Sequence, residues 1–428
     1  MSIQSTSVKK IFLVVLYGEG ILYKSLLQKE EKNMWIVLFV IVIGFLAWVD
    51  FYLGHKQTTA KEEPPVNTTG NMHLLTTGSH FFDSLFQDID QANKSIYIQF
   101  YILRDDELGQ ELCKKLIAKA HQGLEVRLLL DYMGSYGLKK KTVNSLKNAG
   151  VHFEYSNKPQ FPYLLYRINH RNHRKITIID SEIGYLGGYN VGNEYISRVT
   201  RFGDWRDYHL KLRGNVVSEL QRLFCDDWNG STNEKMTQSV SSLTQEVEEK
   251  DLLLLPSKGQ AGYHYFYEKI KQAKKSIFIG SPYFIPGKKM NRALLSALDR
   301  GVSVKVLVPM NPDHPFVQEA SYRYVKPLLE AGAEIYQFHE GFYHSKIVMF
   351  DDSICDIGTA NFDLRSFFYN DELNCIFTDK TEIQAVKKVL DSDLERSEKL
   401  TLARLKKTRS SVKVRFKEMV GFLLSPFL

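Results

Sequence analysis

Two blocks of this chain repeat each other in register. The first reads His173-Arg-Lys175-Ile-Thr-Ile-Ile-Asp180 and is followed by Gly187-Gly188-Tyr-Asn190. The second reads His344-Ser-Lys346-Ile-Val-Met-Phe-Asp351 and is followed by Gly358-Thr359-Ala-Asn361. Every internal gap agrees between the two, and the offset is 344 − 173 = 171 residues. A lone His on a strand-like run is usually an ordinary packed residue. Two copies in register point instead to a duplicated unit with a shared chemical task. The flanking text repeats as well: ANKSIYIQFYI from Ala92, GLEVRLLLD from Gly123 and AGVHFEY from Ala149 find counterparts in AKKSIFIGSPYF from Ala273, GVSVKVLVP from Gly301 and AGAEIYQF from Ala331. Short β-rich runs alternate with amphipathic helical stretches, which predicts two similar α/β domains around largely parallel sheets. We place them at 72–228 and 251–400, with linkers at 54–71 and 229–250.

The spacing inside each block has a physical logic. Side chains alternate faces along a strand, so His173 and Lys175 should point the same way about 7 Å apart, as should His344 and Lys346. An imidazole beside a fixed cation suits a phosphate. Asp180 and Asp351 complete the motifs, but each lies an odd number of residues from its His and about 23 Å along a regular strand. They should organise the strand end, not touch the ring. The glycines would let backbone approach bound oxygens, which Asn190 and Asn361 could also contact. For carboxylates to orient the imidazoles, Glu372 is the candidate for the second copy, and Glu194 and Asp207 are on offer for the first; we favour Asp207 because, like Glu372, it lies beyond its glycine turn at the head of a β-like run.

Charge and hydropathy set the surroundings. The net charge is 56 − 49 = +7. Seven basic residues and no acid lie between Arg404 and Lys417. The remaining body is therefore near neutral, which disfavours a nucleic-acid partner. Hydrophobic residues at 44% and charged residues at 25% exclude a disordered chain. Four widely spaced cysteines (Cys113, Cys225, Cys355, Cys375) fit core thiols in a reducing compartment. Met34 to Val49 is an unbroken run without polar side chains, extended past Asp50 by Phe51 to Leu53. We read 34–53 as a transmembrane helix after an extension, 1–33. Ile11 to Tyr23 is open to reading as a second, short membrane-inserting stretch, and Met34 as the true start. The lysines before the span, counted alone, would put the C-terminal part outside. In the tail, 401–428, a helix over 412–423 would place Val412, Phe416, Met419, Val420 and Leu423 on one face, suiting an anionic membrane surface.

The duplicated His-x-Lys-x4-Asp motif resembles that of the phospholipase D superfamily. The flanking segments, FYILRDDELGQEL from Phe100, GGYNVGNEY from Gly187, WRDYHLKLRG from Trp205, SPYFIPG from Ser281, GTANFDLRSFFYNDE from Gly358 and LLSPFL from Leu423, resemble bacterial cardiolipin synthases more narrowly. The resemblance implies two similar phospholipase D-like α/β domains whose motifs meet at one site. It implies a phosphohistidine intermediate at one of His173 and His344, with the other as general acid and base, and no metal or cofactor. Lys175, Lys346, Asn190 and Asn361 would hold phosphoryl oxygens. The implied reaction joins two phosphatidylglycerols into cardiolipin and releases glycerol, with the catalytic domains on the cytoplasmic side of the cell membrane. Exchange of one phosphodiester for another is nearly isoenergetic, and no Gly-x4-Gly-Lys-Ser/Thr loop is present. A phospholipase D-type hydrolase or a nuclease with the same site, and an inactive membrane scaffold, are the alternatives. Ser156 to Asn169 is an insertion: Gly150 to His173 spans 173 − 150 = 23 residues, whereas Gly332 to His344 spans 344 − 332 = 12. Its Phe161, Tyr163, Leu164, Leu165 and Tyr166 suit either an apolar lip for acyl chains or a buried loop.

Overall fold

The structure is a computed structural model that describes residues 4–59, 62–232, 234–237 and 249–425. The duplication is visible as a single sheet shared by both halves. In sheet order the first half runs Val66–Leu75, His209–Arg213, Ile183–Gly187, Ile176–Ile179, Ser95–Phe100, Glu125–Asp131 and His152–Ser156. The second half runs Lys250–Ser257, Asn370–Phe377, Ile354–Gly358, Ile347–Phe350, Ser276–Gly280, Ser303–Pro309 and Glu334–Phe338 in the equivalent order. The halves join where Val66–Leu75 pairs antiparallel with Lys250–Ser257, in the register Val66↔Leu254 to Gly70↔Lys250. The outer strands of each half pair in parallel, as the β-helix-β pattern predicts, while the hairpins nearest the junction are antiparallel. Helices such as Glu107–His121 and Gly287–Asp299 bury Leu108, Leu112 and Leu116, or Met290, Leu294 and Ala297, against the sheet. Their apolar residues recur at helical spacing, and burial of each large one contributes about 1.5–3 kcal/mol.

Asp180 and Asp351 show why an aspartate ends each motif. Asp180 and Ser181, and Asp351 and Asp352, occupy left-handed backbone conformations at the tip of the motif hairpin, a position where Asp is tolerated better than most residues. The Asp180 carboxylate accepts hydrogen bonds from the backbone N–H groups of Asn93, Lys94 and Ser95 at 2.8, 2.7 and 2.9 Å. Asp351 accepts those of Lys274, Lys275 and Ser276 in the same way. Each therefore fastens the motif hairpin to the start of the adjacent strand, Ser95–Phe100 or Ser276–Gly280, at the far end from the imidazole.

The expected linkers are largely structured. The helix Gln4–Thr59 runs through the start of 54–71, and the strand Val66–Leu75 takes its end. Between them Glu62 accepts the N–H groups of Gln260 and Ala261 at the start of the helix Ala261–Gln272, so the chain is tied down before the first strand. Within 229–250, the helix Asn215–Ser231 extends to Ser231 and the strand Lys250–Ser257 begins at its end; residues 233 and 238–248 lie outside the described residues. The segment Glu31–Thr58 is long and apolar enough to cross a membrane. Ile11 to Tyr23 belongs to the same helix by backbone, its side chains lying outside the described residues. The tail forms the helices Leu402–Arg409 and Val412–Leu424, and residues 426–428 lie outside the described residues. Val412, Phe416, Met419 and Leu423 face outward. The opposite face packs on the helix Val317–Glu330 through Gly421, where a Cβ would come within 2.9 Å of the Phe316 carbonyl oxygen.

Candidate active site

His173 and His344 line one cavity of about 590 Å³, together with Tyr101, Asn190, Trp205 and Asn361. What brings them together is an exchange between the halves. The two-residue strand Arg171–Asn172, just before His173, pairs in parallel with Asn370–Asp371 of the other half. Likewise Gly341–Tyr343, just before His344, pairs in parallel with Asp204–Arg206. The backbone N–H of His173 donates to the Asp371 carbonyl at 2.9 Å, and that of His344 to the Arg206 carbonyl at 2.7 Å.

The exchange corrects the assignment of carboxylates made within each copy. Nδ1 of His173 lies 2.9 and 3.0 Å from the two oxygens of Glu372, which belongs to the second half. Nδ1 of His344 lies 2.6 Å from Asp207, which belongs to the first. The reason is topological: the residue that follows the bridging pair on one strand faces the residue that follows it on the other, and the bridging strands come from opposite halves. Glu372 also accepts from the Thr359 hydroxyl at 2.5 Å and the Asn370 amide at 3.1 Å.

The electrostatics follow from burial. Burial pushes His173 down to about 4, against the pull of Glu372 and with the Lys175 charge adding to the effect. Burial and the Lys346 charge likewise hold His344 at about 4, against Asp207. Burial alone would raise Glu372 and Asp207, but for Glu372 the neighbouring His173 and Lys175, and for Asp207 Lys346 and His344, hold each carboxylate below its ordinary range. At neutral pH each site is therefore a neutral imidazole against a carboxylate. With Nδ1–H donating to Glu372, the Nε2 of His173 carries a lone pair. His344 differs, because Lys346 Nζ stands 2.6 Å from its Nδ1 and 3.2 Å from its Nε2.

The lysines and glycines act differently from expectation. Lys175 and Lys346 are both buried, and each ammonium donates to the backbone carbonyl of its own motif histidine, Lys175 at 2.7 Å. Lys175 also lies over the Tyr101 ring, 5.5 Å from its centre. Neither lines the cavity, because the regular strands begin only at Ile176 and Ile347, so the alternation that would align Lys with His is absent there. The motif glycines make room for the neighbouring strand: a Cβ on Gly188 would lie 2.1 Å from the Asp207 carboxylate, and one on Gly358 would lie 2.4 Å from Asn374 Oδ1. Asn190 and Asn361 do line the cavity. Asn190 accepts the Ile102 N–H at 3.2 Å, while the Asn361 side-chain oxygen is buried with no partner among the described residues.

Sequence reasoning missed Asp363. It lines the same cavity, caps the helix Leu364–Phe368 by accepting the Ser366 N–H at 2.7 Å, and its second oxygen is buried with no hydrogen-bond partner among the described residues. Burial raises its carboxyl to about 7. The FDLRS text contains a capping signal but nothing that marks the cap as facing a cleft. Arg365 and Asp313 line the cavity as well, and the Tyr283 hydroxyl donates to Asp313 at 2.6 Å. Among the described residues no group of three His, Cys, Asp or Glu side chains converges as a metal site would require.

The family model described as "Cardiolipin synthase, PLD-like domain" matches residues 85–201 and 266–394, which contain both histidines and both lysines. The chain belongs to this family. Its curated relatives include the minor cardiolipin synthase of Bacillus subtilis (strain 168), 37% identical over 402 residues that cover 92% of this chain and 100% of that one. A cardiolipin synthase of Staphylococcus aureus (strain Mu50) is 40% identical over 371 residues, covering 85% and 74%. Among solved structures, the phosphatidylserine synthase of Haemophilus influenzae superposes with a TM-score of 0.63 at 15% identity, over 87% of this chain and 99% of that one. A polyphosphate kinase of Porphyromonas gingivalis gives 0.54 at 15% identity, over 78% and 49%. Those likenesses show a shared fold. Cardiolipin synthase family membership accords with the duplicated α/β architecture, whose two halves hold the two matched segments.

Proposed function

We propose that this protein is a cardiolipin synthase that transfers a phosphatidyl group from one phosphatidylglycerol to the free hydroxyl of another, through a phosphohistidine. The observation that carries the reading is that two neutral imidazoles, each braced by a carboxylate of the opposite half, open onto one cavity. The tautomers favour His173 as nucleophile: its Nδ1 meets only acceptors, so Nε2 is free to attack phosphorus. His344 meets an acceptor in Asp207 and a donor in Lys346, which suits a ring that must take and give a proton. The bound phosphodiester brings a negative charge that raises the proton affinity of His344. In the first step the His173 Nε2–P bond forms, the P–O bond to glycerol breaks, and His344 protonates the departing oxygen. In the second, His344 takes the proton of the incoming hydroxyl, whose oxygen displaces His173. Lys175 and Lys346 stabilise the anionic transition state through space in a site of low polarity, while Asn190 and Asn361 contact phosphoryl oxygens.

The membrane helix and the tail fit lipid substrates. Near-surface cations contribute about 1 kcal/mol each on an anionic leaflet, and Lys406, Lys407 and Lys413 are exposed. We place the catalytic body on the cytoplasmic side. The test is to incubate the purified full-length protein with phosphatidylglycerol alone and resolve the lipids. Cardiolipin and glycerol in equal amounts are expected; phosphatidic acid without cardiolipin would assign the site to a hydrolase. His173→Ala and His344→Ala should each abolish product while the protein remains membrane-bound.

A further inference from the structure

A second cavity, of about 260 Å³, lies where the membrane helix meets the catalytic body. Its wall includes Thr58 near the end of that helix, Tyr163 and Arg167 of the insertion, His170 just after it, Lys258, and Asp371. Asp371 and Asn172, which line it, alternate with Glu372 and His173 along the paired bridging strands. The cavity and the catalytic cleft thus occupy opposite faces of the same two-strand bridge, so this is not a part of the catalytic cleft.

Two groups on its wall keep hydrogen-bonding capacity that no described residue meets. The Asp371 carboxylate is buried, and one oxygen meets His170 Nε2 at 3.2 Å and the Asn157 amide at 3.2 Å. Its other oxygen is buried with no hydrogen bond among the described residues. Burial alone would raise this carboxyl, but His170, Lys258 and Arg174 outweigh it and keep it ionised. A buried carboxylate oxygen without a donor is costly, so the site calls for a hydroxyl or an N–H. The Arg167 guanidinium, half-buried on the same wall, makes no hydrogen bond or ion pair to a described residue, and calls for an anion. Planar, five-donor guanidinium matches phosphate well. One ligand that answers both is a phosphate ester carrying a free hydroxyl. The volume falls below the 300–1,000 Å³ of pockets that enclose whole drug-sized ligands, which suits a headgroup alone. Exposed Phe161, Leu165 and Ile168 stand on the insertion beside the membrane helix, where acyl chains attached to such a headgroup would remain in the bilayer.

We propose that this cavity is a second, non-catalytic site for the headgroup of a phosphoglycerol lipid, with Arg167 on its phosphate and Asp371 on its hydroxyl. The inference rests on the lipid-transfer reading only for the source of the ligand. Its test uses full-length detergent-solubilised protein carrying His344→Ala to prevent turnover, titrated with glycerophosphoglycerol, the water-soluble headgroup. Two binding events per chain are expected. Arg167→Gln should weaken one of them about tenfold, at the low end for a charge-assisted hydrogen bond, and Arg167→Lys should restore part of it. In the otherwise unaltered enzyme, Arg167→Gln should raise the phosphatidylglycerol fraction needed for half-maximal rate with kcat within twofold. A single binding event, or one unchanged by Arg167→Gln, would overturn the proposal. So would inorganic phosphate competing as strongly as the headgroup, which would mark a bare-anion site. A protein that makes no cardiolipin yet keeps the Arg167-dependent event would refute the reaction and leave this site standing.

Discussion

Glu372→Gln tests the exchange between halves directly. Glu372 is fully buried and accepts three donors: the ring of His173 at 2.9 Å, the Thr359 hydroxyl at 2.5 Å and the Asn370 amide at 3.1 Å. The substitution preserves shape but removes the charge that stabilises a cationic, phosphorylated His173. A hydrogen bond to a charged group contributes about 1.5–3 kcal/mol, which corresponds to a loss in rate of about 10–150-fold. If the new amide N–H turns toward the ring, His173 must carry its proton on Nε2, the wrong tautomer for attack, so the loss should lie toward the upper end. The assay is rapid-mixing of the purified full-length variant with phosphatidylglycerol in mixed micelles, following glycerol release in the first turnover and cardiolipin at steady state. The first turnover should slow by the full factor, because Glu372 serves the nucleophile. A folded variant that retains its first-turnover rate within threefold would refute the pairing.

Asp363→Asn should change the alkaline limb of activity. The Asp363 carboxyl, raised to about 7 by burial, is neutral below that pH and gains a negative charge above it, in a cavity that must admit an anionic phosphodiester. The wild-type half-saturating lipid fraction should therefore rise above pH 7, and the variant, whose amide keeps the helix cap, should show a flat profile; identical profiles would dismiss the role. On the acid side, His173 and His344, lowered to about 4, should keep the free enzyme active well below the ordinary imidazole pKa of about 6.5. Gly188→Ala places a methyl 2.1 Å from the Asp207 carboxylate, so about 1–3 kcal/mol of stability should be lost in thermal unfolding, together with most activity through displaced His344. Phe416→Ser combined with Leu423→Ser removes two exposed apolar side chains of the tail; activity on anionic vesicles should fall several-fold while activity in detergent micelles is unchanged. Equal losses in both media would assign the tail a structural role.

The amino-acid order alone determined the duplication, the fold class, both histidines, the membrane helix and the outward apolar face of the tail. Each is written in local periodicity or in spacing that recurs, and short-range geometry converts these into strand faces and helix stripes. The parity argument also removed Asp180 and Asp351 from the rings, and the backbone N–H groups they hold show why they recur. Tertiary structure alone decided that Glu372 serves His173 and Asp207 serves His344, that the motif glycines yield space to neighbouring side chains, and that Asp363 faces the cleft. Period-two alternation fixes the face of a strand on which a carboxylate lies. Which imidazole waits opposite depends on pairing between segments about 200 residues apart, here Asn172 and Asp371, and that pairing is set by the packing of two whole halves about their shared sheet.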